Sequence, residues 1–311
     1  MRTPLLRPTH YRHEAVLWRG RDQLLDASLP LLTAAIDAGT PAMVTLTRST
    51  WELIRAELGR AARDVTWVDL AILGPNPARL TAVWLDLLHA CAGRPAHGLS
   101  EPLWSGRQDV DEEGHIHEAT LNVAVTPSTP LWLRCLYDAD NLDDDALAEA
   151  RRTHPVVLAG TEPTENGSYA GATHGASLRS RSLTPPSPSH ERLTFGPDDL
   201  REVRRFVAEH AQAAQVPAGR TDDLVLAINE IAANSIDHGG GRGVVRAWRT
   251  QDSLMVEVMD SGQLTDPLAG RINPGTRDYR GRGLWMVNQL CDLVQVRSTR
   301  RGTVVRVVTW L

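Results

Sequence analysis

A long stretch that is poor in core-forming residues divides the chain and limits it to separate folding units. Residues 161–190 read TEPTENGSYAGATHGASLRSRSLTPPSPSH, a run rich in Ser, Thr, Gly and Pro. This composition buries too little apolar surface to fold alone, so we predict a flexible linker over residues 159–191. The 311-residue length exceeds what one core usually organises. We therefore expect two domains, over residues 8–158 and 192–311.

Charge and hydropathy exclude several classes of partner. The net charge is −5 and the pI is about 6.1, so no basic field favours direct nucleic-acid or membrane binding. No apolar run approaches the roughly 20 residues that span a bilayer, and the N-terminus lacks the apolar segment of a signal peptide. The cysteines are three in number and far apart, namely Cys91, Cys135 and Cys291. We predict a cytoplasmic protein with reduced, buried thiols.

The two halves differ in the order of their elements. The first half alternates buried strands with helices, which predicts an α/β layered domain with a mainly parallel sheet. Its strands are expected over residues 41–46, 65–68 and 131–137, and its helices over residues 22–38, 49–58, 77–92, 115–124 and 143–152. The second half combines helices over residues 198–214, 219–238 and 284–291 with strands over residues 244–249, 254–260, 294–297 and 303–309. That order predicts an α+β sandwich.

The helix LVLAINEIAANSIDHGG carries Glu230, Asn234 and His238 at intervals of four residues, so all of them share one face. A carboxylate and an amide one turn apart suit a metal–phosphate site. The Asn234 oxygen can bind Mg²⁺, and Glu230 can accept a proton from a hydroxyl or a water. The alternative is an ordinary solvated helix face.

Asp260-Ser261-Gly262 directly follows the predicted strand LMVEVMD. An aspartate in this position can accept a hydrogen bond from an exocyclic amine such as that of adenine. Gly262 allows the backbone to approach a ring closely. The alternative is a simple turn.

Residues 280–284 read RGRGL and open the helix LWMVNQLCD. Glycines before a helix expose backbone N–H groups to phosphate, and the helix dipole favours an anion there. Arg280 and Arg282 add charged donors for a terminal phosphate, unless they are ordinary solvated arginines. Gly302-Thr303 opens the last strand, and its hydroxyl can reach a base through water.

The order of these motifs resembles the nucleotide-binding boxes of the GHKL superfamily, which includes histidine kinases, gyrase-type ATPases and Hsp90. The resemblance covers about residues 191–311 and implies a Bergerat-type sandwich that binds ATP and Mg²⁺. It implies Glu230 as catalytic base, Asn234 as the Mg²⁺ ligand and Asp260 as the adenine acceptor. It implies that Gly262, Gly281 and Gly283 belong to the hinges of the ATP lid and Thr303 to the base pocket. The other predicted nucleotide contacts are His238, Arg280, Arg282 and Leu284.

The sequence departs from the superfamily at one glycine. The first glycine motif is usually D-x-G-x-G, whereas here Leu264 stands at the second glycine position. A Cβ at this position should stiffen the hinge of the predicted ATP lid, residues 265–280. Nucleotide binding is therefore better supported than turnover.

Within the superfamily, the second half most resembles the RsbW-like anti-sigma-factor serine kinases. Upstream of it lies a Pro/Ser-rich stretch and no dimerising helix with a phospho-accepting histidine. The resemblance implies two partners, a sigma factor and a STAS-domain anti-sigma antagonist phosphorylated on serine, and it is compatible with a homodimer. Two alternatives stay open: a nucleotide-binding module that sequesters a partner without transfer, and a ligand sensor with a degenerate ATPase.

The first half resembles the MEDS sensory domain over about residues 10–154, through HYRHEAVLWRG, NPARLTAVW, LSEPLW, IHEATLN and LYDADNLDDDALAEARRTHP. The resemblance implies a RecA-like fold, but no P-loop is present, so Walker-type ATP binding is not expected. The residues that suggest a metal or small-molecule pocket are His10, His13, Glu101, His115, His117, Glu118, Cys135 and Asp138. No closed ligand spacing favours metal, and ordinary core and surface histidines are the alternative.

Overall fold

Two sheets of different type organise the chain, which is described by a computed structural model over residues 8–104, 106–159, 162–274 and 282–311. The chain divides into two compact units, Met1–Gly175 and Ala176–Leu311. Within the described residues, no helix combines the length and the apolar character that crossing a bilayer requires.

The N-terminal unit contains a seven-stranded sheet in the order β3-β2-β4-β5-β1-β6-β7. Its strands are β1 (Arg12–Trp18), β2 (Ala42–Leu46), β3 (Val65–Asp69), β4 (Ala96–Ser100), β5 (Leu131–Asp138), β6 (Val156–Ala159) and β7 (Glu162–Glu165). All neighbouring pairs are parallel except β6 and β7, which are antiparallel. The mainly parallel α/β sheet predicted for this half is therefore confirmed.

Helices cover both faces of this sheet. They are α1 (Gly20–Asp37), α2 (Arg48–Leu58), α3 (Leu70–Leu73), α4 (Ala78–Cys91), α5 (Gln108–Ala124) and α6 (Asp144–Thr153). Alternate residues of β5 enter two different cores because successive side chains of a strand point to opposite faces. Trp132 packs with residues of α1 and α2, whereas Leu133 and Cys135 pack with residues of α4, α5 and α6. Burial on both faces explains why this strand is apolar from Leu131 to Tyr137 except at Arg134, which pairs with the buried Glu14.

The predicted linker over residues 159–191 contains regular structure that its composition did not indicate. Strand β7 pairs with β6 and closes one edge of the sheet. A short helix, α7 (His174–Ser180), follows, and the division between the two units falls inside it. Main-chain pairing and the buried side chain of Leu178 supply the stability that the local composition lacks. A fully flexible linker was therefore the wrong expectation for this stretch.

The C-terminal unit contains a five-stranded antiparallel sheet in the order β11-β12-β10-β9-β8. The strands are β8 (Glu191–Phe195), β9 (Gly243–Arg249), β10 (Ser253–Asp260), β11 (Leu293–Thr299) and β12 (Gly302–Trp310). The helices are α8 (Leu200–Ala213), α9 (Ala218–His238) and α10 (Arg282–Leu290), and their apolar residues share one core with the sheet. An antiparallel sheet with helices agrees with the α+β arrangement predicted for this half.

Helix α9 positions the candidate site because its two sides differ in polarity. Leu224, Ile228 and Ile231 recur at helical spacing and are buried against the sheet. The same periodicity turns the polar residues Glu230 and Asn234 away from that core. The hydrophobic packing of one side thus fixes where the polar side faces.

Candidate functional site

One cavity of about 270 Å³ in the C-terminal unit is lined by residues from separate segments of the chain. The lining residues are Ile231, Asn234, His238, Gly239, Asp260, Gly262, Gln263, Leu264, Asp266, Ala269, Gly270, Gly283, Leu284, Thr303 and Val305. They come from α9, the end of β10 and the loop after it, the start of α10, and β12. All four predicted motifs therefore contribute to the wall of one cavity.

The start of α10 approaches α9 closely where Gly283 lies. A Cβ placed on Gly283 would be 3.1 Å from Glu230 Oε2 and 3.3 Å from Asn234 Nδ2. Asn234 is exposed and lines the cavity, whereas Glu230 is half-buried beside it and is not part of the lining. The absent side chain at Gly283 leaves these two polar groups facing the open start of a helix.

Asp260 is held by two hydrogen bonds at the end of β10. Ser235 Oγ donates to Asp260 Oδ2 over 2.7 Å, and the Gly262 backbone N–H donates to Asp260 Oδ1 over 2.8 Å. Gly239 makes this arrangement possible, because a Cβ there would lie 2.5 Å from Asp260 Cγ. A carboxylate oxygen accepts more than one hydrogen bond, so the fixed carboxylate retains acceptor capacity toward the cavity.

Thr303 connects the loop after β10 to the last two strands. It is the register partner of Asp260, and it is buried. Its Oγ1 donates to the Gly262 carbonyl oxygen over 2.9 Å and lies 3.0 Å from Ser298 Oγ. Ser298 Oγ in turn accepts from the Leu264 backbone N–H over 2.8 Å. These contacts fix the loop against the sheet.

Leu264 stands at the second glycine position of the first glycine motif without backbone strain. Its φ is not positive, so its backbone conformation does not require glycine. Its side chain lines the cavity and is 36% exposed. The substitution therefore adds an apolar wall where a glycine would leave open space.

The described part of the predicted lid, residues 265–274, packs on α10. Gly270 has a φ of +73°, and a Cβ on it would lie 2.6 Å from Leu284 Cγ. Asn288 Nδ2 donates to the Gly270 carbonyl oxygen over 2.9 Å. Glycine is therefore needed here both for its conformation and for the close approach.

The remaining predicted residues divide into described and undescribed positions. His238 is exposed at the end of α9 and lines the cavity. Arg282 is the first residue of α10 and is half-buried. Arg280 and Gly281 lie outside the described residues. Sequence reasoning missed Ser235, Ser298 and Asn288, because a serine or an asparagine within a helix or strand carries no local signal of its partner.

A second polar cluster lies inside the N-terminal unit. It contains His13 of β1, Glu118 of α5, Cys135 of β5 and His154 just after α6, each at most 1% exposed. Their potential ligand atoms all lie within 4.8 Å of one another. His13 Nε2 is 3.1 Å from Glu118 Oε2 and 3.3 Å from Cys135 Sγ, and His154 Nε2 is 2.8 Å from Glu118 Oε2.

Burial and charge act in opposite directions on the acidic groups of this cluster. Burial alone would raise the pKa of Glu118, but the hydrogen bonds and charges of His13 and His154 outweigh it and hold that pKa well below its usual range. For Cys135, burial and the nearby Glu118 carboxylate both raise the pKa of the thiol well above its usual range. The carboxylate is thus the charged group at the centre of this cluster.

The structure brings together three of the residues that the sequence singled out in this half and adds one. His13, Glu118 and Cys135 meet, and His154 joins them although it was not among the candidates. His117 borders the cluster: its Nε2 lies 3.5 Å from Glu118 Oε1, and its Nδ1 lies 2.9 Å from Thr81 Oγ1. The other candidates lie elsewhere. Glu101 accepts hydrogen bonds from Thr47 and Thr50 at the start of α2, Asp138 accepts from the turn after β5, His115 is buried outside the cluster, and His10 is exposed.

Comparisons with known protein families give one match for each half. Residues 193–309 match the model of a histidine kinase-like ATPase domain. Residues 12–155 match the model described as MEDS, the methanogen/methylotroph, DcmR sensory domain. The chain therefore combines a C-terminal domain of histidine kinase-like ATPase type with an N-terminal domain of the MEDS sensory type.

Comparisons with individual proteins add little. No curated protein matches the chain. Among solved structures, the chain is similar to the RsbU and RsbW domains of Rv1364c from Mycobacterium tuberculosis, with 21% identity and a TM-score of 0.31. The match covers 40% of this chain and 32% of that one, so this chain spans about a third of the structure it matches. A likeness at this TM-score supports no inference about fold or function.

Proposed function

We propose that the C-terminal unit binds ATP with Mg²⁺ and transfers a phosphoryl group to a serine of a STAS-type anti-sigma antagonist. The observation that carries the proposal is the single cavity lined by α9, the end of β10, the start of α10 and β12. The match of residues 193–309 to a histidine kinase-like ATPase domain supports the binding of a nucleotide. The serine acceptor and the sigma-factor partner rest on the RsbW-like motif pattern of the sequence.

The residues around the cavity fit the chemistry of a magnesium-bound adenine nucleotide. The volume of about 270 Å³ is close to the lower limit of small-molecule sites and suits a purine ring. Asp260 offers a fixed carboxylate acceptor, and Gly262 and Gly283 leave room for close approach of a ring and of phosphates. Asn234 offers a hard oxygen ligand of the kind that Mg²⁺ accepts while retaining several waters.

Bound Mg-ATP would supply the electrophilic γ-phosphoryl group, and the protein would supply position and a base. Glu230 would accept the proton of the attacking serine hydroxyl at its carboxylate. Asn234, one turn along α9, would hold the metal, and the first turn of α10 would offer backbone N–H groups to the phosphates. In this proposal Arg280 and Arg282 offset charge on the terminal phosphate, with Gly281 next to them.

The N-terminal unit would supply the input signal in this proposal. The match of residues 12–155 to the MEDS sensory domain supports that role. We propose that a signal received there changes the availability of the ATPase unit to a sigma factor and to its antagonist. The proposal places the protein in the cytoplasm, with the sigma factor and its antagonist as its partners.

One observation favours a second candidate, a nucleotide-binding module that sequesters its partner without phosphoryl transfer. Leu264 replaces a glycine of the superfamily motif, and its backbone N–H is held by Ser298 Oγ at 2.8 Å. A hinge fixed in this way would restrict lid movement, and catalysis needs that movement more than nucleotide binding does.

The experiment that tests the proposal is incubation of the full chain with γ-labelled ATP, Mg²⁺ and candidate STAS proteins. Label on a serine of the STAS protein supports the kinase. The matched variant is Glu230→Gln, for which we expect nucleotide affinity near that of the wild type but phosphoryl transfer reduced by about 10²- to 10⁴-fold. Full transfer by this variant would contradict the role of Glu230 as base.

A parallel measurement separates the two candidates. Isothermal titration of the full chain with Mg-ATP, in the same buffer, reports binding independently of transfer. Tight binding without label on any STAS protein supports the sequestering module, whereas absence of binding contradicts both candidates.

A further inference from the structure

The buried cluster of His13, Glu118, Cys135 and His154 has the composition and geometry of a metal site. We propose that it binds one divalent metal ion of the zinc class, with tetrahedral coordination by two imidazole nitrogens, one carboxylate oxygen and one thiolate. Each of the four side chains supplies a type of ligand atom that zinc accepts in proteins. The proposal is independent of the ATP cavity, because all four residues lie in the N-terminal unit.

The distances between the ligand atoms are close to the edges of a zinc tetrahedron. Zn–N and Zn–O bonds of about 2.0 Å and Zn–S bonds of about 2.3 Å give ligand–ligand edges of about 3.3 to 3.6 Å. The observed separations are 3.1 Å and 2.8 Å from Glu118 Oε2 to the Nε2 atoms of His13 and His154. Cys135 Sγ lies 3.3 Å from His13 Nε2. A slight expansion of the cluster would accommodate the ion.

The outer hydrogen bonds of the two histidines point their other nitrogens at the centre. His154 Nδ1 lies 2.8 Å from the carbonyl oxygen of Ala150, which can only accept, so Nδ1 carries a proton. His13 Nδ1 lies 2.9 Å from Asn122 Oδ1. The Asn122 amide is oriented by its Nδ2, which donates to the Thr153 carbonyl oxygen over 2.7 Å. His13 Nδ1 is therefore also the donor.

This orientation leaves two unprotonated Nε2 atoms next to a carboxylate oxygen when both imidazoles are neutral. Three acceptor atoms cannot hydrogen-bond to one another, so a cation between them would satisfy all of them at once. Metal-binding histidines usually donate their second ring N–H to a carbonyl or carboxylate in this way, which fixes the ring and strengthens the ligand. The carbonyl of Ala150 and the amide of Asn122 supply these contacts here.

The surroundings favour a permanent rather than an exchanging ion. All four ligand side chains are at most 1% exposed, and the cluster is continuous with the apolar core that contains Ala15, Leu133 and Tyr137. The ligands come from β1, α5, β5 and the segment after α6, which are distant in sequence. An ion at this position would join the paired strands β1 and β5 to the two helical segments packed on them, and its binding would be coupled to folding.

The test is the metal content of the untagged full-length chain after purification, measured by inductively coupled plasma mass spectrometry. We expect about one zinc ion per chain, and a content at least about tenfold lower in the variants Cys135→Ser and His154→Gln. Matched controls are Cys91→Ser and Cys291→Ser, which change buried thiols outside the cluster. Zinc content equal to that of the wild type in Cys135→Ser would overturn the proposal.

Cobalt substitution tests the site in the wild-type chain, so the result does not depend on whether a variant folds. The wild-type chain is unfolded and then refolded with CoCl₂ in place of zinc. Tetrahedral thiolate–Co²⁺ coordination produces a sulfur-to-cobalt charge-transfer band in the near ultraviolet and intense visible bands, and we expect both. Cys91→Ser and Cys291→Ser should retain the charge-transfer band, and Cys135→Ser should lose it. A wild-type chain that refolds without these bands, and that carries no stoichiometric metal when purified, contradicts the site and leaves a proton-linked network as the explanation of the cluster.

Discussion

The two units place their polar groups in opposite environments. In the C-terminal unit, Asn234 and His238 are exposed at the wall of a cavity, and the structure holds Asp260 in position from behind through Ser235. In the N-terminal unit, Glu118 and its partners are enclosed by core side chains. Open polar groups can exchange a ligand, whereas enclosed ones must be satisfied by one another or by a ligand that is bound on folding. The difference teaches that the first site is accessible to a ligand from solvent, whereas the second is closed to exchange in the folded chain.

The largest expected effect compares the same substitution at the two sites. Glu118→Gln removes the central charge of a fully buried network, and we expect it to destabilise the N-terminal unit by about 3 to 5 kcal/mol. Glu230→Gln, at a half-buried position beside the cavity, should change stability by less than about 0.5 kcal/mol. Urea unfolding combined with hydrogen exchange of peptides from α5 and α9 measures both. Equal losses of stability would remove the distinction between an enclosed and an open site.

The next effect concerns ligand-dependent stability of the open site. With free Mg-ATP at 100 times its Kd, the wild-type C-terminal unit should gain about 2.7 kcal/mol of unfolding free energy. Asn234→Ala should lose this gain, because the proposed Mg²⁺ ligand is absent. The control is Asn229→Ala on the same helix, whose Oδ1 accepts from Arg204 over 2.8 Å. Thermal unfolding with and without Mg-ATP checks the prediction, and an undiminished gain in Asn234→Ala would contradict the assigned role.

A pH effect is expected from an enclosed histidine of the N-terminal unit. Burial and the charge of Arg134 lower the pKa of His97 from 6.5 to about 4 in the folded chain. The unfolded chain therefore takes up a proton as the pH falls below 6.5, whereas the folded chain does so only near pH 4. The free energy of unfolding should therefore be about 1 to 2 kcal/mol lower at pH 5 than at pH 7. Urea unfolding at both pH values measures the change, and His97→Gln should reduce it.

The smallest effect tests the hinge of the open site. Leu264→Gly restores the glycine of the superfamily motif and adds freedom to the unfolded chain, so we expect a loss of about 0.5 to 1 kcal/mol in the ligand-free protein. If the stiff hinge limits transfer, the same variant should phosphorylate a STAS partner faster than the wild type. Initial rates with labelled ATP measure this. A slower rate would indicate that Leu264 contributes contacts that the reaction needs.

Much of the C-terminal unit follows from local patterns. The spacing of apolar residues in α9 indicated both the helix and its buried side, and strands β10 and β12 are recognisable as apolar runs. The motif order, from Glu230 to Thr303, could be read because each motif is contiguous in sequence. The hydrogen bond from Ser235 to Asp260 could not be predicted, because it depends on how α9 crosses the end of β10.

Two strands of the N-terminal sheet could not be predicted from local sequence patterns. Strand β4, AHGLS, was not predicted, since Gly98 and Ser100 have low strand propensity. It forms because β2 and β5 pair with it on both sides, and Trp84 packs where a Cβ of Gly98 would lie. Strand β7 was missed for a related reason, because its pairing with β6 provides stability that its composition does not reveal.

By itself the sequence determined the two-part architecture, the type of each sheet and the motifs of the candidate nucleotide site, because periodicity and short motifs are local information. Only the tertiary structure decided that His154 joins His13, Glu118 and Cys135, and that Asp260 is fixed by Ser235 and Gly262. Strand order brings His13 to residues more than a hundred positions away, and the crossing of α9 over β10 brings Ser235 to Asp260, 25 positions away. No local pattern of the chain encodes such meetings.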